Sequence, residues 1–403
     1  MPWLDILSSR SMTAVFTRGL SLLGLIVFLI AASAPEARAV DFPIKAKQAI
    51  LIDADSGAVL FQKNADDLMY PASMSKIMAL AVIFKALKAG TLKLDEPILM
   101  SENAWRKGGG VSYTSAMMVP VNTREKLEQL ILGIIVQSGN DASIAIAEAI
   151  AGSEEAFARM MEEEARRIGL TKSTFRNSIG LFHPEHKMTA RELALLARHL
   201  VIQFPEYYPW FSQREFLYRK HRFFNRNPLL GLPIGVDGIK TGHIKEAGFG
   251  IVVSAKQDNR RIILVINGHE RADERKAEAV KILEWGFRSF GEFKLFEAGE
   301  VVGQARVWGG TRMYVPLSGL NGGAVAVVLP RFPAGQKLKA ELIYKGPLKP
   351  PLKKGDAVAT LRVTSSSGAT AETPLYAAED VEPAGMVRRG FDSMMMMAFR
   401  WMM

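Results

Sequence analysis

The sequence predicts an α+β protein. An antiparallel sheet flanked by helices is followed by a small all-β domain and a C-terminal amphipathic helix. Three observations predict this. Apolar strand-like runs frame the first 290 residues, at 48–53 and 58–61 and again at 248–255 and 261–267. Between them, apolar residues return at three- and four-residue spacing. From about Gly291 to Asp380 the helix signals thin out and short alternating segments take over.

The expected boundaries are a leader over 1–39, a first domain over 40–290, a β domain over 291–380 and a terminal helix over 381–403. A chain of 403 residues with 48% apolar content can build two domains with real cores. Cysteine is absent, which excludes a disulfide framework, a thiol nucleophile and a cysteine metal site. The leader carries Arg10 and Arg18, an apolar run from Gly19 to Ala32 and the small-x-small site Ala37-Arg38-Ala39. That reads as an export signal, with an uncleaved anchor as the alternative and Ala32-Ser33-Ala34 as a second cut. The net charge is +10, and loss of the leader leaves +9. With no zinc finger, RNA-binding aromatic signature or dense basic stripe, anionic wall polymers and lipid head groups suit that charge better than nucleic acid.

Taken in order, Gln48–Asp53 and Ala58–Phe61 read as strands joined by a turn at Asp53–Gly57. A helix follows Pro71, with Ile77, Leu80, Val82, Ile83 and Leu87 on its apolar face. Thr123–Ser138 has helical period, with Thr123 as its cap. Asp141–Ile150 and Glu154–Ile168 are helices joined at Gly152, Asn177–Leu181 is a loop, and Thr189–Leu200 is helical. Glu215–Arg219 reads as a strand. Gly248–Ala255 and Arg261–Asn267 pair across a turn at Gln257-Asp258-Asn259, and Arg271–Phe290 is a helix. In the β domain the strand-like pieces are Gln304–Val315 (with a Gly309-Gly310 turn), Ala324–Leu329, Lys337–Tyr344 and Ala359–Val363. After Pro383, Val387, Phe391, Met394–Met397, Phe399 and Trp401 are interrupted by Arg388, Arg389, Asp392 and Arg400. A short cationic helix with large apolar groups has the profile of one lying in a membrane interface. The alternative is a helix docked on its own domain or on a partner.

Three short motifs carry chemistry. In Tyr70-Pro-Ala-Ser73-Met-Ser-Lys76 the serine and lysine fall one helical turn apart, so the amine reaches the hydroxyl it would activate. Alone this is weak, because both residue types are common. Ser138-Gly139-Asn140 sits between two helices and can present a hydroxyl and an amide to a cleft; Asn140 would bond a substrate amide or Lys76. Taken alone it is also an ordinary helix end. Ser101-Glu102-Asn103 matches loosely but lacks the glycine and the flanking helices. Lys240-Thr241-Gly242 would lie along an edge strand facing the nucleophile. Lys240 and Thr241 would hold a carboxylate, and Gly242 would let a substrate backbone approach; taken alone the motif is also an ordinary exposed turn.

The ordered trio behind an export signal resembles the low-molecular-mass penicillin-binding proteins, serine-type D-alanyl-D-alanine carboxypeptidases of the peptidase S11 type. Lys240-Thr-Gly-His243, Asn225-Arg-Asn227, the β domain and the terminal helix extend the likeness over nearly the whole chain. The resemblance implies a DD-peptidase/β-lactamase-like catalytic domain. It also implies Ser73 as nucleophile on peptidoglycan stem peptides ending in D-Ala-D-Ala, with β-lactams as covalent inhibitors. Lys76 would act as base in its neutral form, Ser138 would relay the proton to the leaving amine, and Asn140 would complete the catalytic set. The backbone N–H groups of Ser73 and His243 would form the oxyanion hole, each such donor being worth about 10²–10³ in rate. Lys240, Thr241 and Arg275 would hold the terminal carboxylate, with Arg271 as the rival arginine. No metal or organic cofactor is implied, and Pro184 breaks the helical spacing of His183 and His186.

The nearest rival is a β-lactamase. Glu185 and Glu192 lie in the right region for a deacylating carboxylate, but neither falls in a Glu-x-x-x-Asn pattern. A DD-endopeptidase would use the same groups. A non-catalytic wall-binding scaffold would be expected to lack one of them. The expected location is the periplasmic face of the bacterial inner membrane, held there by the terminal helix.

Overall fold

The computed structural model describes residues 43–332 and 334–399. The expected leader and Arg400–Met403 lie outside the described residues. In chain order the first domain runs β1 (Gln48–Asp53), β2 (Val59–Lys63), a 3₁₀ turn (Ala72–Ser75), α1 (Lys76–Lys88), β3 (Pro97–Leu99), α2 (Glu102–Gly108), β4 (Arg124–Lys126) and α3 (Leu127–Leu132). A π turn (Gly133–Gln137) leads to α4 (Asn140–Ala151), α5 (Glu154–Arg167) and α6 (Ala190–Gln203). Then come β5 (Glu215–Tyr218), β6 (His221–Phe224), β7 (Val236–Ile244), β8 (Gly248–Gln257), β9 (Arg260–His269) and α7 (Ala272–Ser289).

The main sheet is antiparallel, in the order β2-β1-β9-β8-β7. Successive strand side chains point to opposite faces. Ile263 and Val265 of β9, with Ile50 and Ile52 of β1, therefore join a core with α1 and α6. Ile262, Leu264 and Ile266 face the other way, onto Ala279, Ile282 and Leu283 of α7. Burial on both faces explains why Ile262–Ile266 reads as an unbroken apolar run. Ser153 and Thr189 cap α5 and α6, accepting from the N–H groups of Ala156 and Glu192.

The β domain begins where α7 ends. β10 (Phe290–Phe296) pairs with β13 (Val325–Pro330). β11 (Gly303–Arg306), β12 (Tyr314–Ser318), β14 (Leu338–Ile343), β15 (Ala357–Ser365) and β16 (Thr370–Ala377) form a sheet in the order β11-β12-β16-β15-β14. α8 (Met386–Phe399) follows it.

Several expectations need correction. Thr123–Ser138 is not one helix. Arg124–Lys126 pairs with β3, the helix begins at Leu127, and its last turn widens to a π turn. Thr123 does not cap it: its hydroxyl donates to Pro120 O, 2.7 Å away. Ser73 lies on a 3₁₀ turn rather than inside the helix, which starts only at Lys76. The edge strand expected along Lys240–Gly242 runs over the whole of Val236–Ile244, and β10 and β16 are strands that the sequence reading did not propose.

Candidate active site

Residues of all three motifs meet around the 3₁₀ turn: Asn140 bonds Lys76, and Gly242 packs against Pro71 and Met74. Lys76 is fully buried at the first position of α1, and its Nζ lies 3.0 Å from Ser73 Oγ. The same Nζ donates to Asn140 Oδ1 (2.7 Å) and to the carbonyl of Ile179 (2.7 Å). A neutral amine has two N–H bonds and one lone pair. With its two hydrogens taken by Asn140 and Ile179, the lone pair is left facing the Ser73 hydroxyl. Burial is the first cause that holds the Lys76 pKa well below its ordinary value. The charges of Lys240 and Arg226 add to it, against Glu154 and Asp141.

Asn140 is fixed from both sides. Its N–H donates to Ser115 O (2.8 Å), and its Nδ2 donates to Thr114 Oγ1 (3.1 Å). The buried Asp141 carboxylate accepts from the N–H groups of Met117, Val119 and Ala142, tying the 115–119 segment to the start of α4. Ser138 sits in the left-handed region (φ 64°), where the chain turns from the π turn into α4. Its Oγ is buried with no hydrogen-bond partner among the described residues.

β7 forms the opposite wall, at the edge of the sheet as expected. Packing within the protein itself requires Gly242 there. A Cβ would come within 2.8 Å of Pro71 O and 3.0 Å of Met74 Cγ, so the glycine lets the strand press against the nucleophile turn itself. Lys240 is buried, and its pKa is pushed down to about 7 by burial first, then by Arg226 and Arg275. Thr241 is buried beside it. His243 is exposed and stacks on Phe249, with centroids 3.9 Å apart.

The two candidate arginines separate clearly. Arg275 is buried, donates to Gly250 O (3.2 Å) and lies over the Phe249 ring; its Nε is buried without a partner among the described residues. Arg271 is exposed and paired with Asp273. Glu192 is turned to Lys172 N–H and Ser173 Oγ, and Glu185 is exposed against Arg176. Neither is among the partners of Ser73 or Lys76. The ring of His186 is buried, with its pKa lowered to about 3 chiefly by that burial, and its Nδ1 accepts from Arg176 N–H.

Two site elements escaped the sequence reading. The Ile179 carbonyl left no trace because a backbone acceptor has no residue-type signature. Arg226 lies in the Asn225-Arg-Asn227 stretch already singled out, yet nothing there indicated its charge on Lys76 and Lys240. Asn227 braces β7 by donating to Gly238 O (2.9 Å).

Residues 32–270 match the family described as D-alanyl-D-alanine carboxypeptidase (Peptidase S11), and residues 290–383 match the C-terminal domain of penicillin-binding protein 5. D-alanyl-D-alanine carboxypeptidase DacC of Escherichia coli K12 is 37% identical, over 95% of this chain and 96% of its own. DacF of Bacillus subtilis 168 is 32% identical, over 85% of this chain and 87% of its own. Penicillin-binding protein 5 from Haemophilus influenzae superposes with a TM-score of 0.74 at 33% identity, covering 85% of this chain and 98% of that one. Penicillin-binding protein D2 from Listeria monocytogenes, solved with ampicillin bound, superposes with a TM-score of 0.53 at 25% identity, covering 61% of this chain and 99% of that one.

Proposed function

The chain belongs to the D-alanyl-D-alanine carboxypeptidase family, peptidase S11, and from that premise we propose that it removes the terminal D-alanine from peptidoglycan stem peptides through an acyl-enzyme on Ser73. The observation that carries this reading is the placement of Lys76 Nζ between Ser73 Oγ, Asn140 Oδ1 and Ile179 O.

Ser73 Oγ attacks the carbonyl of the penultimate D-alanine while its proton passes to the lone pair of Lys76. The backbone N–H groups of Ser73 and His243 take the developing oxyanion. The C–N bond then breaks, and the leaving amine gains the proton through Ser138. In the second half Lys76 draws a proton from water, whose oxygen attacks the ester carbonyl, and the lysine returns that proton to Ser73 Oγ as the C–O bond breaks. Lys240, Thr241 and Arg275 hold the terminal carboxylate, Asn140 keeps Lys76 in register, and Gly242 brings β7 up to the nucleophile. A β-lactam enters the same cycle and stalls as the ester. This fits a cleft in which neither Glu185 nor Glu192 reaches the nucleophile.

The location is part of the proposal. An exported enzyme on the outer face of the cytoplasmic membrane, held peripherally through α8, meets the substrate where it is laid down. Two features of α8 support this. Asp392 accepts from Gly309 N–H and Arg388 donates to Thr311 O, so polar groups hold the helix to the β domain. Met386, Val387 and Met394 are exposed beside them. No described helix is long and apolar enough to cross a membrane.

The test is D-alanine release from a peptide ending in Lys-D-Ala-D-Ala, wild type beside Ser73→Ala, with intact mass after penicillin. The expected result is release that vanishes in the variant and a lasting adduct on the wild type. An adduct without release would point to an endopeptidase. Fast penicillin turnover without an adduct would point to a β-lactamase, and neither signal to a scaffold.

A further inference from the structure

We propose that Glu154 is a positioning residue for the general base: through Ser178 it fixes the Ile179 carbonyl that aims Lys76 at Ser73. This rests on the reading of Lys76 as base.

Glu154 opens α5, where acidic residues are commonly placed for the helix dipole and left in water. This one is turned inward and is only 7% exposed. Its Oε1 accepts from both Ser178 N–H (3.0 Å) and Ser178 Oγ (2.9 Å). The carbonyl of Ser178 accepts from Ser143 Oγ of α4, at 3.0 Å. Ser178 is thus held at its N–H, its hydroxyl and its carbonyl, and the next carbonyl along the chain is the one that receives Lys76 Nζ. The far side of the loop is equally fixed. Asn177 Oδ1 accepts from the N–H groups of Ile179, Gly180 and Leu181, and Gly180 backs onto Ala72 O so closely that a Cβ there would lie 1.9 Å from it. The 177–181 segment is therefore a rigid block bridging α5 and the nucleophile turn, and Glu154 holds one end of it.

A hydroxyl or amide could make the same clamp, so the choice of a charged group has a consequence of its own. The charges acting on Lys76 are Lys240 and Arg226, which disfavour its ammonium form, and Glu154 and Asp141, which favour it; the neutral ring of His186 lies beyond. Glu154 thus sets both the direction of the Lys76 lone pair and part of the balance that decides when the pair is free.

The experiment is acylation of Ser73 by a fluorescent penicillin across a pH series, resolved into limiting rate and apparent dissociation constant. Glu154→Ala is expected to lower the limiting rate about tenfold or more, with the dissociation constant moved less than about twofold. Glu154→Gln keeps the acceptor oxygen and is expected to recover most of that rate. It removes a negative charge near Lys76, so the ascending limb of its profile should move to lower pH. Ser178→Ala should slow acylation without moving the limb. A limiting rate and limb in Glu154→Ala equal to the wild type would overturn the proposal. So would a loss that tracks only the titrated fraction of active protein. If Glu154→Ala does not fold, Glu154→Gln decides, and an unmoved limb overturns the proposal. A wild type that is never acylated at Ser73 would instead overturn the functional reading, a different result from a normal wild type beside an unaltered variant.

Discussion

Lys76 and Lys240 are both buried, yet the proposed mechanism asks opposite things of them: Lys76 must lose its proton to act on Ser73, and Lys240 must keep one to hold a carboxylate. Burial lowers both pKa values, but only Lys76 benefits. Lys240, pushed down to about 7, is charged below that pH and loses its charge as pH rises through it. The expected outcome is a Michaelis constant for a carboxylate-terminated peptide that rises several-fold on the alkaline side. It should rise much less for the same peptide with a C-terminal amide, and steady-state kinetics on the pair would check it. A bound carboxylate favours the charged lysine, so the same limb should lie at higher pH in the profile of kcat than in that of kcat/KM. The arginines give a second prediction. The fork of Arg275 is buried beside Phe249 with its Nε unpaired among the described residues, so Arg275→Ala should raise the peptide KM about tenfold or more while altering penicillin acylation far less. Equal effects on both would count against a carboxylate role. Arg271→Ala, which removes an exposed partner of Asp273, should leave both within about twofold.

Short elements, rather than long ones, determine where the catalytic groups stand. α2 presses its last residue onto the start of α4. A Cβ on Gly108 would come within 2.4 Å of Asp141 N and 2.5 Å of Asn140 C, both backbone atoms that cannot turn aside. Gly108→Ala should therefore wedge α2 from α4, cost about 1–3 kcal/mol in stability and displace Asn140 from Lys76. Thermal unfolding read beside penicillin acylation would show both losses, and an unaffected acylation rate would dissociate α2 from the site. This scale also explains what could be read in the chain. The long elements were legible because both faces of β8 and β9 and the apolar side of α6 repeat over many residues. The three motifs were legible because Ser73, Lys76, Ser138, Asn140 and Lys240 are chemically distinctive side chains in a fixed order. β3 and β4 were not, since three-residue strands carry no period, and Arg124–Lys126 runs directly into a helix that absorbed it. Gly242 shows a related limit: a missing side chain marks a close approach without naming what approaches, and Pro71 and Met74 do so here.

At the scale of the whole chain, the β domain and α8 stand apart from the chemistry, since every residue assigned to the cleft lies between Ser73 and Arg275. The proposed catalysis and the proposed membrane placement can therefore be tested separately. Asp392 and Arg388 fasten the helix to the turn at Gly309–Thr311, and these contacts leave Met386, Val387 and Met394 exposed in a segment that also carries Arg389. Apolar groups with flanking arginines gain from burial at a lipid surface and from its anionic head groups, and a short helix of this kind binds reversibly. Deleting residues 383–403 should release the protein from membrane fractions while leaving D-alanine release within about twofold of the full chain. Replacing Arg388 and Arg389 by Gln should weaken sedimentation with anionic vesicles more than with neutral ones, and added salt should mimic that change. A truncated protein that still sediments with vesicles would place the anchor elsewhere in the chain. One that is released but also inactive would show that α8 supports the fold and not only its location.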